Sequence, residues 1–228
     1  MGQTDARLLT GAPIRDAATT IVLRDAGTRP RVLMGQRGKS AAFMPSKFVF
    51  PGGAVDDADA NIPLARPCLA ETEAALSARS ALAPRALVAA ATRELWEETG
   101  LLLGHPGACP TPVSEGWASY AATGFLPDGA GLSFIFRAVT PPGRPRRFDA
   151  RFFLVDANAV QSDPDDFGRA EDELSHLQWV PLEAARGFDM PFITEVVLAE
   201  LAARISGRSS SGVPFFDNSG DESRFCRL

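Results

Sequence analysis

Apolar and β-branched residues crowd two early runs, DAATTIVLRD (16–25) and RPRVLMGQRG (29–38), and Ala26-Gly27-Thr28 between them is a hairpin signal. SKFVFPGGAV (46–55) predicts a third strand, ended by Pro51-Gly52-Gly53, where glycine allows positive φ and close approach of a ligand to the backbone. The pattern then turns polar and Ala-rich over 56–84, with Pro63, Pro67 and Pro84 and a short helix expected around 69–81. ALVAAATRELWEETG (86–100) takes up the helical period, starting after Pro84 and stopping at Gly100, a suitable C-terminal cap. Residues 104–127 are irregular, with a short helix near 114–122. GLSFIFRAVT (131–140), FDARFFLVDA (148–157) and LSHLQWVPL (174–182) read as three more strands, and FITEVVLAELAARI (192–205) as an amphipathic helix. The resulting order, three strands, helix, three strands, helix, fits an α/β (α+β) domain: a mixed β-sheet sandwiched between helices, αβα. Residues 1–14 read as a lead-in, 15–206 as one domain with an insertion at about 56–84, and 207–228, with Ser209-Ser210-Ser211, as a mobile tail.

The long helix carries a question of its own. At about 100° per residue, Glu94, Glu97 and Glu98 fall within one arc, while Val88, Thr92, Leu95, Trp96 and Thr99 fall on the other side. Like charges at this spacing repel by roughly 0.2–0.5 kcal/mol per pair. A solvated acidic face is the ordinary outcome; three carboxylates converging on a cleft require a cation. Arg93, one turn before Glu97, is placed to orient one of them.

Composition narrows what that cation is. Only two histidines (His105, His176) and three scattered cysteines (Cys68, Cys109, Cys226) occur, which excludes a zinc-finger type of site and suits a reducing compartment. The ion expected is hard and bound by oxygen. His105 and His176 read as structural. A net charge of −5 supplies no basic footprint for nucleic acid or a membrane surface. No apolar run reaches the roughly 18–20 residues of a bilayer span, and the N-terminus lacks signal-peptide character, so a cytoplasmic protein is expected. Cys226-Arg227-Leu228 loosely resembles a peroxisomal address, which chance explains as well.

The string Arg-Glu-Leu-Trp-Glu-Glu-Thr-Gly-Leu (93–101), preceded by Phe50-Pro51-Gly52-Gly53, resembles the Nudix hydrolase family, whose box ends in R-E-U-x-E-E-x-G-U with U apolar. Arg93, Glu94, Leu95, Glu97, Glu98, Gly100 and Leu101 each match. The usual box spaces its glycine and arginine by 14 positions, with a glutamate between them. Here about 26 residues are inserted between Gly53 and Arg93. Arg85 stands eight before Arg93, and Asp59 stands six after Gly53; the first acidic position is either served by Asp59 or lost. The long insertion, with 36–53, 146–153 and 177–185, resembles the branch of peroxisomal coenzyme A diphosphatases and their bacterial relatives.

The resemblance implies a metal-dependent enzyme, using Mg2+ or Mn2+, that cleaves the diphosphate bond of a nucleoside diphosphate linked to another group. Coenzyme A or an acyl-coenzyme A leads as substrate. ADP-ribose, a dinucleotide or a nucleotide sugar is the alternative, since AAFMPSKFVFPGG lacks the histidine and glycine that the shorter coenzyme A motif carries before F-P-G-G. A non-catalytic nucleotide-sensing domain is the reading from a different class. By resemblance, Glu94, Glu97 and Glu98 with the Gly53 carbonyl hold the metal, Glu97 alternatively acts as a base, and Arg93 orients a box glutamate. Glu173, then Glu171, is the candidate distal base, against an ordinary acidic loop. Arg37, Lys39 and Arg151 are the candidate phosphate ligands, with Arg146 and Arg147 nearby. Phe43 and Met44 are either an apolar slot or core. The partners implied are a small-molecule nucleotide and a second copy of the chain, for which VPFF (213–216) offers a surface if exposed; neither nucleic acid nor membrane is implied.

Overall fold

The computed structural model describes residues 12–39, 41, 44–110, 112–220 and 222–228. Residues 1–11 of the expected lead-in and Phe43 lie outside them.

β1 (Ile14–Arg24) and β2 (Arg31–Arg37) form the expected hairpin, but they pair only at Leu23–Val32 and Arg24–Arg31. The main partner of β1 is β8 (Arg147–Asp156), which runs parallel to it from Ile14–Arg147 to Leu23–Asp156. A strand flanked on both edges and covered on both faces needs apolar or neutral side chains throughout. The sequence supplies Ala17, Ala18, Thr20, Ile21, Val22 and Leu23, all buried.

The single strand expected over 46–55 is two. β3 (Phe48–Val49) pairs with β2, and β4 (Gly52–Ala54) with β1. Pro51 lacks the N–H needed to continue a ladder, yet its carbonyl still accepts from the Thr20 N–H at 2.8 Å. The chain thus steps from one partner strand to another at Pro51. A Cβ on Gly52 would lie 2.5 Å from the Ala18 carbonyl oxygen and 2.6 Å from the Thr19 Cα, so this crossing admits only glycine.

The insertion is ordered. A 3-10 turn (Asp57–Asn61) opens it, and α1 (Ala70–Ser77) follows. Arg137 on β7 (Ser133–Val139) fastens it to the sheet by donating to the carbonyls of Ala78 and Arg79 at 3.0 and 2.9 Å. α2 (Pro84–Thr99) starts with Pro84 in its first turn and ends at Gly100, whose φ of 72° permits the left-handed cap. β5 (His105–Pro106) and β6 (Phe125–Leu126) form a separate ribbon around α3 (Glu115–Ala121). β9 (Leu174–Pro181) pairs with β2, and α4 (Phe192–Ile205) covers the opposite face.

The segment after Gly207, expected to be a mobile tail, contains two strands. β10 (Pro214–Asp217) joins β7, and β11 (Arg224–Arg227) pairs with β10. VPFF is largely buried there, with Phe215 2 % exposed, so it offers no dimer surface. Leu228 exchanges both backbone hydrogen bonds with Val213, which ties the segment after β11 to the sheet.

Among the described residues the main sheet has nine strands and runs β11-β10-β7-β8-β1-β2-β3, with β4 on β1 and β9 on β2. One core joins the sheet to α1 and α2 through Leu76, Leu87, Val88 and Leu95; a second joins its other face to α4 through Val197, Leu198 and Leu201. The fold is the expected mixed sheet between helices. Among the described residues no helix is long and apolar enough to cross a membrane.

Candidate active site

α2 is held against β1 by apolar packing and by the Thr20 hydroxyl, which donates to the Ala91 carbonyl at 3.1 Å. α3 covers its other side through Trp117 and Tyr120, packed with Trp96 and Ala89. The helix is therefore enclosed almost all round. Arg93, Glu94 and Glu98 are only 4, 9 and 2 % exposed, so the bland reading of a solvated acidic face is excluded.

Arg93 organises the carboxylates. Its Nε and Nη2 donate to the two oxygens of Asp59 at 2.9 and 3.0 Å. Its Nη1 donates to Glu94 Oε1 at 2.8 Å and to Glu97 Oε2 at 3.0 Å, and Nη2 also reaches the Ala54 carbonyl at 3.0 Å. A guanidinium has five N–H donors in a fixed fork, and here the whole fork is used. Asp59 is fully buried and accepts a further bond from Trp117 Nε1 at 2.9 Å. The open question about Asp59 is thereby answered: the insertion delivers it to Arg93, and its carboxylate orients the arginine rather than facing the cleft.

Glu98 stands apart from that cluster. Its Oε2 accepts the Gly52 N–H at 2.7 Å, while its Oε1 is buried without a hydrogen-bond partner among the described residues. An orphaned buried carboxylate oxygen costs about 1–3 kcal/mol or more, so the site carries an unmet demand for positive charge. Burial pushes the Glu98 carboxyl well above its ordinary range, and the neighbouring Glu94 pushes it further. Burial likewise raises Glu94 to about 7; Arg93 opposes the rise, and Glu97 and Glu173 add to it. Glu97 is raised by burial against the pull of Arg93. At Gly53 a Cβ would overlap the Glu94 carboxylate, so glycine leaves that group its room.

The three glutamates do not share one point. Arg93 draws Glu94 and Glu97 toward itself, and among the described residues no three His, Cys, Asp or Glu side chains already surround a common centre. The donor set nevertheless fits a hard divalent ion: an orphaned Glu98 oxygen, a second buried carboxylate beside it, and a glycine backbone approaching both.

The distal residues divide. Glu173, just before β9, accepts from Arg37 Nη2 at 2.7 Å, and its charge reaches both Glu94 and Glu98. The Glu171 N–H donates to the Glu97 carbonyl at 2.8 Å, and its carboxylate acts on Glu97. Arg37, Glu171 and Glu173 therefore adjoin the glutamate helix. Lys39 is exposed on the same β2–β3 connection, and half-buried Met44 lies further along it.

Arg151 does not belong to the site. It is 1 % exposed on β8 and is bound to Asp16, to the Asp149 carbonyl at 2.8 Å and to Ser80 Oγ at 3.2 Å. Arg147 is likewise buried, donating to the carbonyls of Thr140 and Asn218. Both guanidiniums serve the sheet and are unavailable to a phosphate. His105 and His176 are exposed on β5 and β9.

Sequence reasoning missed Trp117. A tryptophan in a short helix reads as core, and only the fold shows that its indole N–H meets Asp59.

The model of the NUDIX domain matches residues 14–201. A NUDIX hydrolase crystal structure from Alicyclobacillus acidocaldarius is 30% identical with a TM-score of 0.64, covering 88% of this chain and 99% of that one. A Caenorhabditis elegans protein, provisionally named nudix hydrolase 7, is 28% identical over 184 residues, which is 72% of this chain; the match spans about half (50%) of that relative's length.

Proposed function

This chain belongs to the NUDIX domain family, and from that footing we propose that it is a divalent-metal-dependent hydrolase of nucleoside diphosphate derivatives. The observation that carries the reading is the buried, unpartnered Oε1 of Glu98 beside a second buried carboxylate, Glu94. Glu94 and Glu98, with the Gly53 carbonyl, are the groups that would hold the ion, Mg2+ or Mn2+. Such an ion neutralises diphosphate oxygens and lowers the pKa of a water that attacks phosphorus.

The chain's own residues supply the rest. Arg93 fixes Glu94 and Glu97 in place, and Asp59 fixes Arg93. Gly52 and Gly53 bring the backbone of β4 against Glu98 and Glu94. Arg37 and Lys39 offer positive charge to the substrate's phosphates. Glu173 is the first candidate to take a proton from the attacking water, with Glu171 and Glu97 as alternatives.

Coenzyme A and acyl-coenzyme A lead the substrate candidates because the long insertion resembles that of the coenzyme A diphosphatase branch; ADP-ribose, dinucleotides and nucleotide sugars follow. The deciding experiment incubates the protein with Mg2+ or Mn2+ and a panel of these compounds and separates the products by chromatography. Release of two phosphate monoesters supports the proposal. Tight nucleotide binding without cleavage of any compound would replace it with the sensing role.

A further inference from the structure

Arg37 and Glu173 face each other because the sheet puts them there. β2 and β9 are antiparallel, and Arg37 is in register with Leu174, the residue after Glu173. The Arg37 guanidinium donates through Nη2 to Glu173 Oε1 at 2.7 Å. Its Nε is buried and has no hydrogen-bond partner among the described residues. The arginine side chain is 17% exposed, while that of the glutamate is 55% exposed. The cation is thus fixed with a donor to spare, and the carboxylate is the freer member. The charges of both act on Glu98, so the pair sits at the edge of the candidate metal site.

A diphosphate entering there would meet Glu173 as a repelling charge and Arg37 as an attracting charge already in use. Phosphate oxygens can accept from both edges of a guanidinium, which the single Glu173 contact does not occupy. We propose that Arg37 exchanges partners, from Glu173 in the free protein to a substrate phosphate in the complex, and that this exchange releases Glu173 toward the reacting water. The inference rests on the reading of the site as a diphosphate hydrolase. Glu173 would then be catalytic only after substrate has arrived, and Arg37 would set affinity while guarding the base.

The test is a double-mutant cycle read by calorimetric titration with ADP in the presence of Ca2+, using Arg37→Gln, Glu173→Gln and the pair. Arg37→Gln should weaken ADP binding roughly tenfold. Glu173→Gln should tighten it several-fold by freeing Arg37, and that gain should vanish in the Arg37→Gln background. A gain that persists without Arg37 is general removal of negative charge and overturns the exchange, as does unchanged affinity in Glu173→Gln. Thermal melts of all four proteins in the absence of nucleotide check that each is folded; a merely structural pair would move those melts without coupling to ADP. Coupling without hydrolysis of any panel compound leaves the exchange standing and removes the hydrolase reading. Hydrolysis without coupling does the reverse.

Discussion

Asp59 grips Arg93 through both carboxylate oxygens, at 2.9 and 3.0 Å, across 34 positions of sequence. The carboxylate is fully buried, and the guanidinium nearly so. Removing one partner of such a pair costs about 3–5 kcal/mol because the other charge is left stranded. Asp59→Ala should therefore lower stability by roughly that amount in urea titrations. In variants that remain folded, Arg93, the common anchor of Glu94 and Glu97, loses the carboxylate that orients it, and turnover should fall further than substrate affinity. Wild-type turnover in a folded Asp59→Ala protein would contradict the orienting role.

Glu98→Gln removes the buried charge whose Oε1 has no partner. Without metal, the variant should be at least as stable as the parent. Mn2+ should raise the melting temperature of the parent and leave that of the variant unmoved. Hydrolysis should drop by a factor on the order of 10² or more, since the charge neutralisation involved is worth several kcal/mol. An undiminished Mn2+ shift in the variant would remove Glu98 from the metal site.

The raised carboxyl of Glu94 makes the metal-free protein sensitive to pH. Burial lifts it from an ordinary 4.5 to about 7. Between those values the folded chain holds a proton that the unfolded chain has lost, so stability falls as pH rises through the window. Glu98, raised by burial and by Glu94, extends the decline in the same direction. Urea midpoints in EDTA should be higher at pH 5 than at pH 7.5, with this contribution on the order of 2–3 kcal/mol for Glu94. Saturating Mn2+ at pH 7.5 should recover the loss. A midpoint that rises across the same interval in EDTA would count against the burial of these charges.

Arg151→Met separates structure from chemistry. Its guanidinium is enclosed by Asp16, Asp149 and Ser80; its loss leaves the Asp16 carboxylate without its partner, while Asp149 keeps both hydrogen bonds from Arg137. Because Asp16 is one-third exposed (34%), the destabilisation should be nearer about 2–3 kcal/mol than the full buried-pair value. KM for any panel substrate should stay within about twofold of the parent; a rise as large as that of Arg37→Gln would return Arg151 to the substrate site.

What could be read in advance followed the locality of the signal. Pro84, Gly100 and an apolar period mark the first long helix in sequence over 86–100, within two residues of its observed Pro84–Thr99, and the amphipathic period over 192–205 coincides with α4. The charged string on the first helix pointed to its chemistry because i, i+3 and i+4 contacts are fixed by helix geometry alone. Arg151 was misplaced because its partner Asp16 is on the neighbouring parallel strand, and no local spacing encodes a pairing across 135 positions. The split at Pro51 was missed because the two halves of 46–55 belong to different partner strands. β10 and β11 look like a tail in sequence because four-residue strands amid serine, glycine and charge acquire their order only from pairing, β10 along the edge of β7 and β11 along β10.

The parallel contact of β1 with β8 has a consequence for how the chain reaches its native state. The centre of the sheet joins residues 14–23 to residues 147–156, so that a long loop must close before the first strand finds its main neighbour. Loop closure of that span is slow and precedes any reward from the contact. During synthesis the early hairpin must wait for residue 156 to leave the ribosome, and fragments that stop within α2 or α3 should collapse without cooperative unfolding. The glutamate-bearing helix is thus made well before the platform that holds it is complete.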